Sequence, residues 1–250
     1  MKAGTRYSAL TVAVVAMLLG GVGSAGATSV KPRQKMDFTF TSTRSGTPTG
    51  AQLNPTWLGA HPGEKPHSIT DDVFTFAQGS RLDFSVPKVC AATDAELTKQ
   101  GPSACPKASR VAAGEIDLDL GKAVWIIPRI VKTHAVVLNG GAGELITVAQ
   151  PTNVPLGVPI RVVDRATVKG LSIKTENPPT PGFPPPDDFV AVKRDRIKFF
   201  KIVKGSGDNR RGFLTTPERC PASGRWMNKG VFHYHDDVTE RVSSPSPCEG

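Results

Sequence analysis

The residues best placed by type and spacing to do chemistry lie in Gly114-Glu115-Ile116-Asp117-Leu118-Asp119-Leu120. Read as a strand, this run puts Glu115, Asp117 and Asp119 on one face and Ile116, Leu118 and Leu120 on the other, because successive side chains alternate sides. Such a row suits acid and nucleophile work at a sugar, or a calcium ion, which accepts several carboxylate oxygens. Side chains two apart on a strand stand about 6.6 Å from each other and four apart about 13 Å. A retaining pair needs roughly 5 to 5.5 Å between its carboxyl groups. The spacing therefore favours a solvated strand face, with calcium as the one cofactor the row would suit.

A second cluster is cationic. Residues 193–211 hold eight basic and two acidic side chains. Ile197 and Phe199 share one parity and Phe200 and Ile202 the other, which predicts a β-bulge at Phe199-Phe200. Lys193, Arg194, Arg196, Lys198, Lys201 and Lys204 would then offer a solvent face to an anionic cell-wall polymer or lipid headgroups. A charged edge strand that discourages pairing is the structural alternative. Few aromatics are present to stack bases, so specific nucleic-acid recognition is not expected. In His233-Tyr234-His235-Asp236-Asp237 two imidazoles share a strand face and make half of a metal site. No third ligand is identifiable, and Asp236-Asp237 equally suits a hairpin turn into Val238-Thr239-Glu240-Arg241-Val242 that leaves both histidines on the surface.

The chain that must position these groups has 250 residues, 38% hydrophobic and 21% charged, with a net charge of +9. That composition excludes a disordered tail, a collagen and a polytopic membrane protein. Lys2 and Arg6 precede an apolar run from Ala9 to Leu19, and Ala25-Gly26-Ala27 follows as a small-residue cleavage site. Residues 1–27 read as a secretory signal, too short in its apolar run to span a bilayer, and no second apolar stretch supplies an anchor. Loss of Lys2 and Arg6 leaves 29 basic against 22 acidic side chains, a net +7. The product is a secreted, extracellular or envelope-associated chain. Export favours disulfides among Cys90, Cys105, Cys220 and Cys248, which allow three connectivities. Local pairing of Cys90 with Cys105 and Cys220 with Cys248 would close loops worth roughly 3 to 4 kcal/mol each. No pair has the short gap of a zinc site.

Short alternating runs separated by Gly, Pro, Asn and Asp recur along the chain, among them Asp37 to Ser42, Val73 to Ala77, Arg81 to Val86, Gly114 to Leu120 and His134 to Leu138. Glu144 to Ala149, Val168 to Lys174, Ile197 to Val203 and Gly230 to His235 continue the pattern. The one helix expected is Thr93 to Gln100, with Asp94 helping to cap it. Asn139-Gly140-Gly141-Ala142-Gly143 reads as a hairpin turn, since a strand and not a helix follows the glycines. The expected fold is all-β, an antiparallel sandwich of immunoglobulin-like or jelly-roll-like type with long Pro/Gly-rich loops. Residues 28–250 form one domain, with the proline-rich stretch 177–187 as a crossover or a divider of two subdomains.

Two resemblances attach to these residues. Glu115-Ile116-Asp117 followed by a further acid resembles the strand motif of laminarinase-like retaining glycoside hydrolases. That resemblance implies Glu115 as nucleophile, Asp117 as its electrostatic helper and Asp119 in the acid/base position, where the motif carries Glu. Pro87-Lys88-Val89-Cys90, Gly101-Pro102-Ser103-Ala104-Cys105-Pro106 and Cys220-Pro221-Ala222-Ser223-Gly224-Arg225-Trp226 with Cys248 resemble a group of secreted, uncharacterised proteins of high-GC Gram-positive bacteria. The second implies a β-rich exported domain with two local disulfides and no assigned activity. The expected function is therefore a non-catalytic envelope or extracellular binding protein with an anionic partner, with a glycoside hydrolase or a structural surface protein as alternatives.

Overall fold

Alternation of apolar and polar side chains becomes strand after strand in the computed structural model, which describes residues 31–123, 127–141, 143–154, 161–177, 180 and 189–249. The proposed signal, residues 1–27, and most of the proline-rich stretch lie outside the described residues. The first strands are short: β1 (Gln34–Lys35), β2 (Phe38–Phe40), β3 (Pro48–Thr49), β4 (Ala51–Leu53) and β5 (Thr56–Trp57). β6 (Ile69–Thr75) and β7 (Arg81–Leu82) precede α1 (Asp94–Gln100). Long strands follow in β8 (Arg110–Asp119), β9 (Ile130–Gly141), β10 (Glu144–Pro151), β11 (Val162–Lys169), β12 (Ser172–Glu176) and β13 (Ala191–Phe199). After β14 (Val203–Lys204), β15 (Arg211–Gly212) and β16 (Leu214–Thr215), the hairpin of β17 (Arg225–Tyr234) and β18 (Thr239–Pro247) ends the chain.

The protein is mostly β and antiparallel. Thirteen of the strands expected to divide between two facing sheets run through one sheet, in the order β1-β5-β13-β8-β9-β10-β11-β12-β6-β17-β18, with β4 joining β2 to β13, while β3-β16-β7 and β14-β15 form two small sheets. Strands before and after the proline-rich stretch interleave, β13 pairing with β8 and β17 with β6. The sheet curls into a half-barrel. Its two ends are drawn together by side chains: the Phe38 and Phe40 amides on β2 donate to Ser244 Oγ (2.8 Å) and Ser246 Oγ (2.9 Å) on β18. Asn228 on β17, fully buried, accepts from the Ala77 amide at 2.8 Å and donates to the Phe38 carbonyl at 2.7 Å. Buried amides need partners, and here serine and asparagine supply them where two strand edges meet without a regular ladder.

Inside the curl Phe38, Phe40, Phe74, Phe76, Phe199, Phe232 and Trp226 form one cluster, with ring centroids 4.9–6.2 Å apart in mostly edge-on pairs, the preferred geometry of aromatic rings. A second cluster lies on the opposite face of β9 and β10, where Leu97 of α1 packs with Val136, Leu138, Ile146 and Val148. These strands are covered on both faces, which is why Ala135 to Leu138 is apolar at consecutive positions. The Cys90–Cys105 disulfide brackets the α1 segment, and Cys220–Cys248 ties the start of the last hairpin to its end. Both local pairings inferred from spacing are present.

Local details differ from the sequence reading in three places. Thr93, not Asp94, caps α1: its hydroxyl accepts from the Glu96 amide while the Glu96 carboxylate accepts from the Thr93 amide, a reciprocal capping box. The bulge in the basic strand falls between Val192 and Arg194 instead of at Phe199-Phe200, because β13 simply ends at Phe199. The turn at Gly170-Leu171 divides the run Val168 to Lys174 between β11 and β12. The glycine-rich run is the β9–β10 hairpin as expected, with Gly141 and Gly143 at φ +82°. Gly114 has a separate role, since a Cβ there would collide with the Arg196 carbonyl across the β8–β13 ladder.

Candidate functional site

Two clusters that looked independent in the sequence turn out to be partners. β8 and β13 are neighbours, and their register sets Arg194 opposite Asp117 and Arg196 opposite Glu115. Arg194 Nη2 lies 2.6 Å from Asp117 Oδ2, and Arg196 pairs with Glu115. Asp119 is fully buried and held in a fork by Arg129, Nε to Oδ1 at 2.8 Å and Nη2 to Oδ2 at 2.9 Å, with the Gly121 amide donating a third bond. Burial alone would raise the Asp119 pKa, but these donors and the Arg129 charge hold it below the usual carboxylate value. All three carboxylates sit on the face of β8 opposite Ile116 and Leu118. Each of the three is paired with one guanidinium group, Glu115 with Arg196, Asp117 with Arg194 and Asp119 with Arg129. Of the six cations, Lys198, Lys201 and Lys204 extend into solvent, while Lys193 is half-buried and adds its field to Asp119.

The histidines separate. His233 Nδ1 is 2.8 Å from Asp71 Oδ1 on the neighbouring strand β6, while His235 stacks on Phe189 with centroids 4.5 Å apart. Asp236-Asp237 does turn the β17–β18 hairpin, Asp237 taking φ 63°. Among the described residues no three His, Cys, Asp or Glu side chains converge as a metal site.

The concave face of the sheet holds what the sequence reading missed. A partly open cavity of about 260 Å³ is lined by residues of β4, β5, β6 and β8 to β13. Most of its wall is apolar, including Trp57, Phe74, Ile116, Val137, Leu145 and Phe199. Val162, 57% exposed, lies on its rim. Three carboxyl groups interrupt the apolar wall: Asp72 on β6, Asp164 on β11 and Asp195 on β13. No Lys, Arg or His lines the cavity among the described residues.

Parity explains why these acids point inward. Asp72 shares a face with Phe74 and Phe76, Asp164 with Ala166 and Val168, and Asp195 with Ile197 and Phe199. The signal was legible: an acid on the apolar parity of a strand. For Asp195 that parity is the one already carried by Ile197 and Phe199.

Burial raises the pKa of all three. Asp72, 5% exposed, is pushed up to about 7 by burial and by the charges of Asp164 and Asp71, against a 3.0 Å hydrogen bond from Asn177 Nδ2 that favours its ionised form. Asp195 is raised well above its ordinary value by burial and then by the charges of Asp72 and Asp117. Asp164 is raised by burial and by Glu176. Asp195 Oδ1 is out of contact with solvent and has no hydrogen-bond partner, and the Trp57 indole N–H is likewise unpaired. The arrangement is an apolar chamber with carboxyl groups on its wall and hydrogen-bonding capacity left unused.

Set against known proteins, the chain matches no family, no curated protein and no solved structure.

Proposed function

We propose that this is a secreted, non-catalytic binding protein that encloses one small, largely apolar molecule inside its curled sheet. The observation that carries this reading is the cavity. Protein interiors are close-packed, and an apolar void of about 150 Å³ already takes up a benzene-sized molecule; the chamber here, at about 260 Å³, is larger. Curled sheets of about eight strands are the size at which a barrel interior can hold one small ligand. The fold reading that goes with it is a half-barrel whose facing arcs serve as the two layers that an immunoglobulin-like or jelly-roll sandwich builds from separate sheets. Two disulfides support an extracellular setting, and no described helix is long and apolar enough to cross a membrane.

The test is uptake of N-phenyl-1-naphthylamine, a neutral dye whose emission rises in apolar surroundings. Saturable uptake at one site is expected, abolished by Ala166→Phe, which fills the chamber from β11. No uptake by the unmodified protein, or uptake untouched by Ala166→Phe, would remove this reading.

A second reading rests on Lys198, Lys201 and Lys204, which are exposed, with Lys204 opposite the exposed Arg211 on β15. They support retention of the protein on an anionic envelope polymer or lipid headgroups. Binding to isolated envelopes should then fall with rising salt and drop in a variant with Gln at all three lysines. Retention unaffected by either change would remove the surface from consideration.

A further inference from the structure

We propose that the molecule held in the chamber carries a protonated amine, its ammonium group seated on the Asp195 and Asp72 carboxylates with its apolar body along the Phe74, Val137 and Leu145 walls. This rests on the cavity reading above and names its ligand class.

Three observations carry it. The chamber has carboxyl groups and no basic side chain on its described wall, so a fatty-acid-like anion would enter without a counter-charge and against repulsion. Asp195 Oδ1 is buried and unpaired. A carboxylate oxygen can only accept, so what satisfies it is a donor, and an ammonium brings three together with the opposite charge. Asp72 and Asp195 stand on β6 and β13, which are not neighbours in the sheet, yet each acid's charge bears on the next. The curl therefore gathers negative charge at one place in an apolar space. Trp57, which also lines the chamber, adds an aromatic ring of the kind that attracts cations.

Energetics favour the amine over an equally long alcohol. A charge-assisted hydrogen bond is about twice as strong as a neutral one, and the pairing is strengthened where water is excluded. Burial raises the pKa of these acids and a neighbouring cation lowers it, so binding of an ammonium ion should draw off whatever protons they carry. Amine binding thus has a signature that alcohol binding lacks, a net release of protons.

The experiment uses the mature protein loaded with N-phenyl-1-naphthylamine at pH 7.5 and displaced in turn by dodecylamine, dodecanol and dodecanoate. Dodecylamine is expected to displace the dye at about tenfold lower concentration than dodecanol, equivalent to roughly 1.4 kcal/mol, with dodecanoate weakest. Calorimetry of dodecylamine binding in buffers of different ionisation enthalpy should show proton release. Asp195→Asn, or Asp72→Asn should the first variant not fold, is expected to keep dye uptake and lose the amine preference. Equal potency of amine and alcohol overturns the amine assignment while leaving the cavity reading intact, as does a preference that survives in both variants. Failure of the dye to bind the unmodified protein overturns both.

Discussion

Arg194 and Asp117 stand directly opposite each other across the β8–β13 ladder, with Nη2 2.6 Å from Oδ2, and the Asp117 side chain is 6% exposed against 42% for its partner. Asp117 Oδ1 has no hydrogen-bond partner at all. The arginine is therefore the counter-charge of a buried carboxylate and not a free member of a basic surface. Removing one partner of such a pair is costlier than removing both, because it strands the buried charge. Arg194→Met should destabilise the protein by about 1–3 kcal/mol, the penalty for an unsatisfied buried group. Adding Asp117→Asn to it should restore part of that loss. Urea denaturation of the two single variants and the double variant measures the coupling, and strictly additive effects would contradict this assignment.

Stability should also report on Asp72. Its folded-state pKa of about 7 lies above the ~3.9 of an unfolded chain, so the folded protein holds more protons between those values. Stability from this group is full below the lower value and is lost as pH rises through the upper one. Asp164 and Asp71 bear on the same group and add to the effect, while Asn177 opposes it. Asp72→Asn removes the titration and keeps an acceptor for Asn177. The variant should gain at pH 8 relative to pH 4, by an amount on the order of 4 kcal/mol for a shift of about three pH units. Chemical denaturation of both proteins at the two pH values would show it, and an identical difference at pH 4 and pH 8 would sink it.

The junction at which the sheet ends meet predicts a different kind of loss. Asn228 satisfies the Ala77 amide and the Phe38 carbonyl at once. Asn228→Leu should strand both, at about 1–3 kcal/mol for each buried group left unpaired, and should speed amide exchange at Ala77. Hydrogen exchange with mass spectrometry is the measurement. Unchanged protection there would mean that the ends are held together by the aromatic cluster alone.

Reduction gives a further prediction, because the two disulfides close loops of different length, with sequence separations of 15 and 28. The chain-entropy estimate for the shorter is about 3 kcal/mol, and the longer should be worth slightly more. Paired Cys→Ser variants, Cys90 with Cys105 and Cys220 with Cys248, should each lower the melting temperature. The first should also loosen α1, whose only buried residue is Leu97. Limited proteolysis near residues 94–100 would detect that change, and equal cleavage in both variants would contradict the link.

Much of this architecture is written locally. Period-2 alternation marks Gly114 to Leu120 and Gly230 to His235 as strands, the glycines after Asn139 mark a hairpin, and Cys spacing marks two local disulfides, since each of these depends only on residues close in the chain. The inward acids were in principle legible too, each standing on the apolar parity of its own strand beside Phe74, Ala166 or Ile197. What alternation cannot express is which strands become neighbours. Only the tertiary structure joined β8 to β13 and so turned an acidic row and a basic run into ion pairs. Only the curl of the sheet brought Asp72 and Asp195 within reach of each other's charge, because strand order and curvature arise from long-range pairing and packing of the whole chain, and these leave no period in any local stretch of sequence.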